Sequence, residues 1–281
     1  MIRKMFLLFL LAVTGIEAAA AVQGSAVSAA AAAEGAPDRQ TLEEIDDYVR
    51  RQFEKNNIIG GAYAVVHDGE VVAAGGIGVA DKETKEPVTP DTLYSTASVT
   101  KVFTAAAVLQ LAEAGRIDLD APVQSYIPWF AYKDAARSAR VTVRHLLTHS
   151  AGVQRFAADG SIFQNEKGNR HSLENAVRAL SSVEMTADPG TKGEYCNTCY
   201  NVLGLLIEKV TGIDYEKYMR DEIFAPLNMN RTTFEPETAE NKASEYNWVF
   251  GLKHKSDYNN VVFGESQNPE GGMYSTVLDL S

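Results

Sequence analysis

A serine and a lysine stand three residues apart in the stretch Thr-Ala-Ser-Val-Thr-Lys at 96–101. Apolar residues recur at helical spacing from there to about Gly115, which predicts a long helix beginning near Ser98. Positions three apart share a helix face, so Lys101 can reach back to the Ser98 hydroxyl. A serine hydroxyl becomes a good nucleophile when a neighbouring base takes its proton. Taken alone, however, this pattern more often marks a helix cap and a solvated lysine.

A tyrosine and an amide form a second pattern, in Tyr-Cys-Asn at 195–197. From an irregular turn, Tyr195 and Asn197 can both point into one cleft. The phenol can then shuttle protons beside a lysine, and the amide can hold the lysine and the substrate. Taken alone, such a tyrosine more often packs in a core than takes part in catalysis.

The surroundings of both patterns carry a more specific signal. The matching segments are Thr-Ala-Ser-Val-Thr-Lys at 96–101, Val-Arg-His-Leu-Leu-Thr-His-Ser-Ala-Gly at 143–152, Tyr-Cys-Asn at 195–197, Pro-Leu-Asn-Met at 226–229 and Gly-Gly-Met-Tyr-Ser-Thr at 271–276. Together, and in this order, they resemble the serine β-lactamase-related family. That family includes class C β-lactamases, D-alanyl-D-alanine carboxypeptidases and lactamase-like esterases.

This resemblance implies a fold and a set of site residues. The fold is α+β and β-lactamase/transpeptidase-like, with an antiparallel sheet flanked by a helical region. Ser98 would be the acylated nucleophile and Lys101 its hydrogen-bonded partner. Tyr195 would share the role of base with Lys101, because the identity of the acylation base is disputed for related enzymes. Asn197 would bind the substrate amide or the lysine, and His149 would order a loop beneath the site.

The family's third motif, Lys-Thr-Gly or His-x-Gly on a strand beside the cleft, has no counterpart here. The stretches at 190–193 and 209–212 are superficially similar, but they are expected in a turn and at a helix end. We therefore expect a C-terminally truncated domain with its last strands missing. One oxyanion donor would be lost, which costs on the order of 10²–10³ in rate. By itself, such a chain is expected to fold poorly or to be inactive.

Local patterns predict the first elements of the domain. Thr41 and Glu44 form a capping-box pattern ahead of an amphipathic helix that ends near 56–60. Asp68-Gly69 lies between two β-prone runs, 62–67 and 70–74, and predicts a hairpin. Without the family's C-terminal strands, this hairpin would have an open edge and an uncovered apolar face.

The N-terminus has the pattern of an export signal. Arg3 and Lys4 precede a short apolar run and an alanine-rich stretch, as in secretory signal peptides. We assign 1–24 to a signal peptide, 25–40 to a flexible lead-in and 41–281 to the hydrolase domain. The predicted location is secreted or periplasmic, in the cell envelope.

Charge and composition limit the classes of partner that the chain is expected to bind. The formal net charge is −11, with no basic block, which argues against nucleic acid and anionic membrane surfaces. No segment after the signal peptide is apolar enough to span a membrane. The resemblance implies a small-molecule or peptide substrate. It implies no cofactor and no metal, because the nucleophile and proton carriers are all side chains.

Cys196 and Cys199 are the two cysteines of the chain. A redox pair and half of a zinc site are conceivable, but no second ligand pair exists at suitable spacing. Two small buried residues on a helix are the leading interpretation. A local disulfide formed in an oxidising compartment is the main alternative.

The sequence thus favours an exported serine hydrolase that acts on amide or ester bonds through an acyl-enzyme. β-Lactams, D-Ala peptides and short esters all remain possible substrates. The alternative is an inactive, penicillin-binding-like module that binds cell-wall peptides without turnover.

Overall fold

The computed structural model describes residues 13–14, 37–154, 172–249, 252–256 and 265–281. The predicted signal peptide and lead-in lie outside these ranges, apart from 13–14 and 37–40. The chain divides into two compact units. The first is Met1–Ser95 with Met229–Tyr258 and Tyr274–Ser281, and the second is Thr96–Asn228 with Asn259–Met273.

Helices and short antiparallel sheets make up an α+β fold, as predicted. The helices are α1 (Arg39–Lys55), α2 (Thr100–Glu113), α3 (Ala135–Ser138), α4 (Val143–Leu147), α5 (Ser172–Ala179), α6 (Asn197–Thr211), α7 (Tyr215–Tyr218) and α8 (Asn268–Gly271). The strands are β1 (Val13–Thr14), β2 (Ile58–His67), β3 (Glu70–Gly78), β4 (Tyr94–Ser95), β5 (Glu245–Val249), β6 (Leu252–Ser256) and β7 (Tyr274–Ser275). A π-helical stretch, Met219–Phe224, continues α7.

The predicted hairpin is present in the first unit and is longer than expected. Strands β2 and β3 pair antiparallel as far as Gly60 and Gly78. Asp68 and Gly69 connect them with φ angles of +49° and +85°. Two left-handed residues in succession make the tight turn whose twist matches that of the flanking strands. β1 pairs with β2, which leaves β3 as an edge strand of this sheet.

Helix α1 covers one face of the hairpin. Its buried residues pack against apolar residues of both strands: Leu42, Val49 and Phe53 against Tyr63, Val65, Val72 and Ala73. On the other face Ala62 is buried in a second cluster with Ala80, Val88 and Tyr94. The expectation of an uncovered apolar face is therefore wrong for the face that α1 covers, because the amphipathic helix folds back on the strands that follow it.

The start of α1 also differs from the prediction. The helix begins at Arg39, and the side chain of Asp38 accepts the Thr41 N–H at 2.8 Å. Asp38, and not Thr41, is thus the N-cap, since an aspartate oxygen satisfies one of the free N–H groups of the first turn.

The remaining strands belong to the first unit as well. β4 pairs with β7, and β5 pairs with β6 in an antiparallel hairpin. Residues 250–251, between these two strands, and 257–264, after them, lie outside the described residues. In the ranges that the structure describes, no helix is long and apolar enough to cross a membrane.

Helix α6 forms the centre of the second unit. Ten of its residues, from Thr198 to Ile207, are buried, and the helix packs against α2, α4, α5 and α8. Gly204 permits the approach of α8, because a Cβ there would lie 2.2 Å from Pro269 Cγ. α6 ends at Thr211, and the C-cap residue Gly212 has a left-handed φ of +75°. The Lys-Val-Thr-Gly stretch at 209–212 is therefore at a helix end, as predicted.

Candidate active site

Ser98 lies on a 3-10 turn that leads directly into α2. The α-helix itself begins at Thr100, two residues later than the prediction. Ala97 has a left-handed φ of +43°, a conformation that costs energy for a residue with a Cβ. The turn is held in place by Thr96, whose N–H donates to Met273 O at 2.9 Å, and by Thr100, whose hydroxyl donates to Ala97 O at 2.6 Å.

The Lys101 amine lies beside the Ser98 hydroxyl. Lys101 is 5% exposed, and its Nζ is 3.2 Å from Ser98 Oγ. The same nitrogen donates to the main-chain oxygen of Glu270 at 2.6 Å. Its distances to the ring centroids of Tyr195 and Tyr200 are 5.1 Å and 5.6 Å. A buried amine in this position can exchange a proton with the serine.

Tyr195 precedes α6 and packs on an imidazole. The ring centroids of Tyr195 and His149 are 4.5 Å apart, and Tyr200 lies against the same imidazole at 5.2 Å. Burial lowers the pKa of His149 below its ordinary value, and the nearby charge of Lys101 lowers it further. A neutral imidazole can accept a hydrogen bond at Nδ1, and here it accepts the Cys196 N–H at 3.0 Å.

Asn197 is the first residue of α6. Its side-chain oxygen is buried and has no hydrogen-bond partner among the described residues. Such an acceptor can take a hydrogen bond from an amide N–H or an ammonium group. The structure thus brings Ser98, Lys101 and Tyr195 into one cluster. Asn197 follows Tyr195 by two residues in the chain.

Cys196 and Cys199 form a disulfide. The leading sequence interpretation, two unlinked buried residues, is wrong, and the alternative of a local bridge is confirmed. Both cysteines are fully buried, so burial and bonding occur together. The first turn of α6 brings residues 196 and 199 within bonding reach, since positions three apart share a helix face.

Glu270 was not identified from the sequence. It stands in Asn-Pro-Glu-Gly-Gly at 268–272, which has neither periodicity nor a catalytic pattern. Its main-chain oxygen contacts Lys101. The residue as a whole is 3% exposed, so its carboxyl group is buried as well. Burial raises the pKa of this carboxyl to about 7, against the opposing effects of the Lys101 charge and of Asn201 and Gln267. A glutamate between a proline and two glycines was the only available hint.

Within the described part of the chain, no three histidine, cysteine, aspartate or glutamate side chains come together as a metal site would require. The groups connected to Ser98 through these contacts are an amine, two phenols and an imidazole. This set can transfer protons to and from a serine nucleophile.

Comparison with known proteins identifies the family. A family model described as Beta-lactamase matches residues 45–281, well over half of the chain. The chain belongs to the beta-lactamase family. Ser98 and Tyr195 both lie inside the matched region, in the order inferred above.

Two curated relatives and one solved structure of this family illustrate the likeness. Protein flp of Staphylococcus aureus (strain MW2) is 33% identical over 192 residues, 68% of this chain and 38% of flp. Penicillin-binding protein 4 of Amycolatopsis lactamdurans is 34% identical over 185 residues, 66% of this chain and 47% of that protein. The octameric penicillin-binding protein homologue from Pyrococcus abyssi superposes with a TM-score of 0.73 at 32% identity, covering 85% of this chain and 54% of that one. The chain thus spans less than half the length of both curated relatives.

Proposed function

We propose that this chain carries the nucleophile of a serine hydrolase that forms an acyl-enzyme on Ser98. The observation that carries the proposal is the contact between Lys101 Nζ and Ser98 Oγ at 3.2 Å. It occurs in a buried setting, next to the Tyr195 ring. A serine, a base and a second proton carrier within reach of one another are the requirements of nucleophilic catalysis.

In the proposed reaction, Lys101 and Tyr195 jointly receive the proton of Ser98 Oγ as it attacks the substrate carbonyl carbon. The tetrahedral intermediate collapses when its leaving group takes up a proton from the same pair. Water then adds to the acyl-serine, giving one proton to the pair, and the acid product leaves as Ser98 recovers its hydrogen. Asn197 holds the substrate amide or the lysine through its buried side-chain oxygen.

The substrate is an amide or ester of small or peptide size. β-Lactams, peptides ending in D-alanine and short acyl esters are the candidates, and the fold does not choose among them. We place the reaction outside the cytoplasm, in the envelope or the medium, because of the N-terminal sequence pattern at 1–24. Apart from 13–14, that segment is outside the described residues.

Covalent labelling of Ser98 tests the proposal. The protein is incubated with a fluorescent penicillin and, separately, with a fluorophosphonate, and the modified residue is identified by peptide mass. Ser98→Ala should abolish labelling, and Lys101→Met should slow it by about 10²–10⁴-fold, the usual contribution of acid–base catalysis. Ser125→Ala is the matched control and should label like the wild type, because Ser125 is exposed and distant in sequence.

Two outcomes would argue against the proposal. Labelling that persists in Ser98→Ala would place the nucleophile elsewhere. Binding of D-alanine peptides or penicillins with no acyl-serine at all would favour the alternative, a module that binds cell-wall peptides without turnover.

A further inference from the structure

A disulfide lies inside the segment that carries two of the proposed site residues. Cys196 directly follows Tyr195, and the bond to Cys199 closes a four-residue loop that contains Asn197. Both cysteines are fully buried. Any change in the geometry of this loop is therefore passed by the main chain to Tyr195 on one side and to Asn197 within it.

Cys196 is also the N-cap residue of α6. Its sulfur accepts the Cys199 N–H at 3.1 Å in the N-cap position. Sulfur is a weak acceptor, and cysteine is not among the residues preferred at N-caps. The hydrogen bond alone would therefore hold this junction poorly, whereas the covalent bond holds it in one geometry.

The same residue connects the junction to a second element. The Cys196 N–H donates to His149 Nδ1 at 3.0 Å, and the His149 ring packs on Tyr195. Displacing Cys196 would disturb this hydrogen bond, and with it the surface on which the Tyr195 ring rests. Lys101 Nζ lies 5.1 Å from that ring, so the displacement reaches the proton carriers around Ser98.

We propose that the Cys196–Cys199 disulfide is a positioning element of the active site, and that the oxidised chain is the form that acylates Ser98 efficiently. This inference rests on the proposed function, since it concerns the rate of that same step. Two thiols need more room than two bonded sulfurs, because unbonded atoms cannot approach to bonding distance. A close-packed interior has little space for this, so reduction widens the loop and shifts Tyr195 and Asn197.

Reduction of the Cys196–Cys199 disulfide by a dithiol requires no other reactant. One thiolate of the dithiol attacks a protein sulfur to give a mixed disulfide, and its second thiol displaces the protein. Cys196 and Cys199 gain two electrons and two protons, while the dithiol becomes a cyclic disulfide. Because both sulfurs are buried, exchange requires local opening and is expected to be slow.

The experiment compares the full chain in its oxidised, dithiothreitol-reduced and reoxidised states. A fluorescent penicillin at several concentrations separates the first-order acylation rate of Ser98 from the apparent dissociation constant. The number of free thiols is counted by mass after quenching, and circular dichroism checks the fold. Reduction should slow acylation roughly tenfold to a hundredfold, the scale expected for a misplacement of about 1 Å. The apparent dissociation constant should change much less, and reoxidation should restore the rate.

A variant without the disulfide serves as the control. Cys196→Ala/Cys199→Ala should acylate at the slow rate and should not respond to dithiothreitol. A fully reduced wild type that acylates at the oxidised rate would overturn the inference. So would a loss of ellipticity that parallels the loss of rate, because the bond would then stabilise the whole fold. If no state of the chain labels Ser98, the proposed function itself fails, a result distinct from equal labelling in both states.

Discussion

His149 accepts hydrogen bonds from the two residues that flank Tyr195 in the chain, Glu194 and Cys196. The main-chain oxygen of His149 accepts the Glu194 N–H at 2.8 Å, and its Nδ1 accepts the Cys196 N–H at 3.0 Å. Between these two contacts, the Tyr195 and His149 rings lie 4.5 Å apart. His149 adopts a left-handed φ of +56°, a conformation in which asparagine, aspartate and histidine are the non-glycine residues most often found. The histidine thus fixes the position of the phenol that the proposed mechanism uses.

Replacing His149 should impair the site. His149→Ala removes the Nδ1 acceptor and the stacked ring, and keeps the main-chain hydrogen bond from Glu194. We expect the acylation rate of Ser98 to fall about tenfold to a hundredfold, as for other positional errors at a reacting centre. His149→Asn should fall less, because asparagine tolerates the left-handed conformation and offers an acceptor oxygen. Single-turnover labelling measures both, and a wild-type rate in His149→Ala would refute the role.

Protonation of His149 should weaken the fold at mildly acidic pH. Burial, and then the charge of Lys101, hold the pKa of the folded-state imidazole below its ordinary value of 6.5. Below that value the unfolded chain binds the proton more readily than the folded chain, so the unfolding free energy falls as the pH falls below 6.5. Urea unfolding from pH 8 to pH 5 should show this loss in the wild type and less of it in His149→Asn. Parallel curves for the two proteins would contradict the prediction.

The buried carboxyl of Glu270 should act in the opposite direction. Its folded-state pKa, about 7, lies above the ordinary value of 4.5, so the folded state binds the proton more tightly. The stabilising contribution of the protonated carboxyl is complete below 4.5 and is lost as the pH rises to about 7. Glu270→Gln cannot titrate and should gain stability relative to the wild type over this interval, by up to about 3 kcal/mol at 1.36 kcal/mol per pKa unit.

Urea unfolding of both proteins at pH 5 and pH 8 measures this difference. Other carboxyl groups with a raised pKa, such as Glu208 and Glu245, are present in both proteins and cancel in the comparison. The main-chain oxygen that binds Lys101 is retained in Glu270→Gln. An equal difference in stability at the two pH values would show that the carboxyl does not titrate as inferred.

Gly204 should not tolerate a methyl group. Alanine normally stabilises a helix by about 1 kcal/mol relative to glycine. At this position, however, the new Cβ would lie 2.2 Å from Pro269 Cγ. We expect Gly204→Ala to lower the unfolding free energy by about 1–3 kcal/mol, as overpacking does, and to displace the neighbouring Glu270 carbonyl from Lys101. Thermal unfolding checks the first effect and Ser98 labelling the second.

Gly193→Ala is the control for this substitution. A Cβ at Gly193 meets no atom within 4 Å, so the stability of this variant should remain close to that of the wild type. If Gly204→Ala is as stable as Gly193→Ala, then α6 and α8 are less closely packed than the structure indicates.

Short-range features were predictable because neighbouring residues determine them. The Asp68-Gly69 turn follows from two residues that accept left-handed backbone angles, and the contact between Ser98 and Lys101 follows from helical spacing. The start of α1 was misplaced because two acceptors, Asp38 and Thr41, stand close together. Only the local geometry selects the one that caps the helix.

By itself the sequence determined the α+β class, the hairpin, the order of the family segments and the pairing of Ser98 with Lys101. The tertiary structure decided what surrounds them. Glu270 contacts Lys101 although the two residues are 169 positions apart in the sequence. His149 and Cys196 are in contact although 47 positions separate them. The disulfide, too, depended on how the turn before α6 folds. Contacts of this kind arise from the packing of distant segments around α6, and no local pattern of residue types encodes that packing.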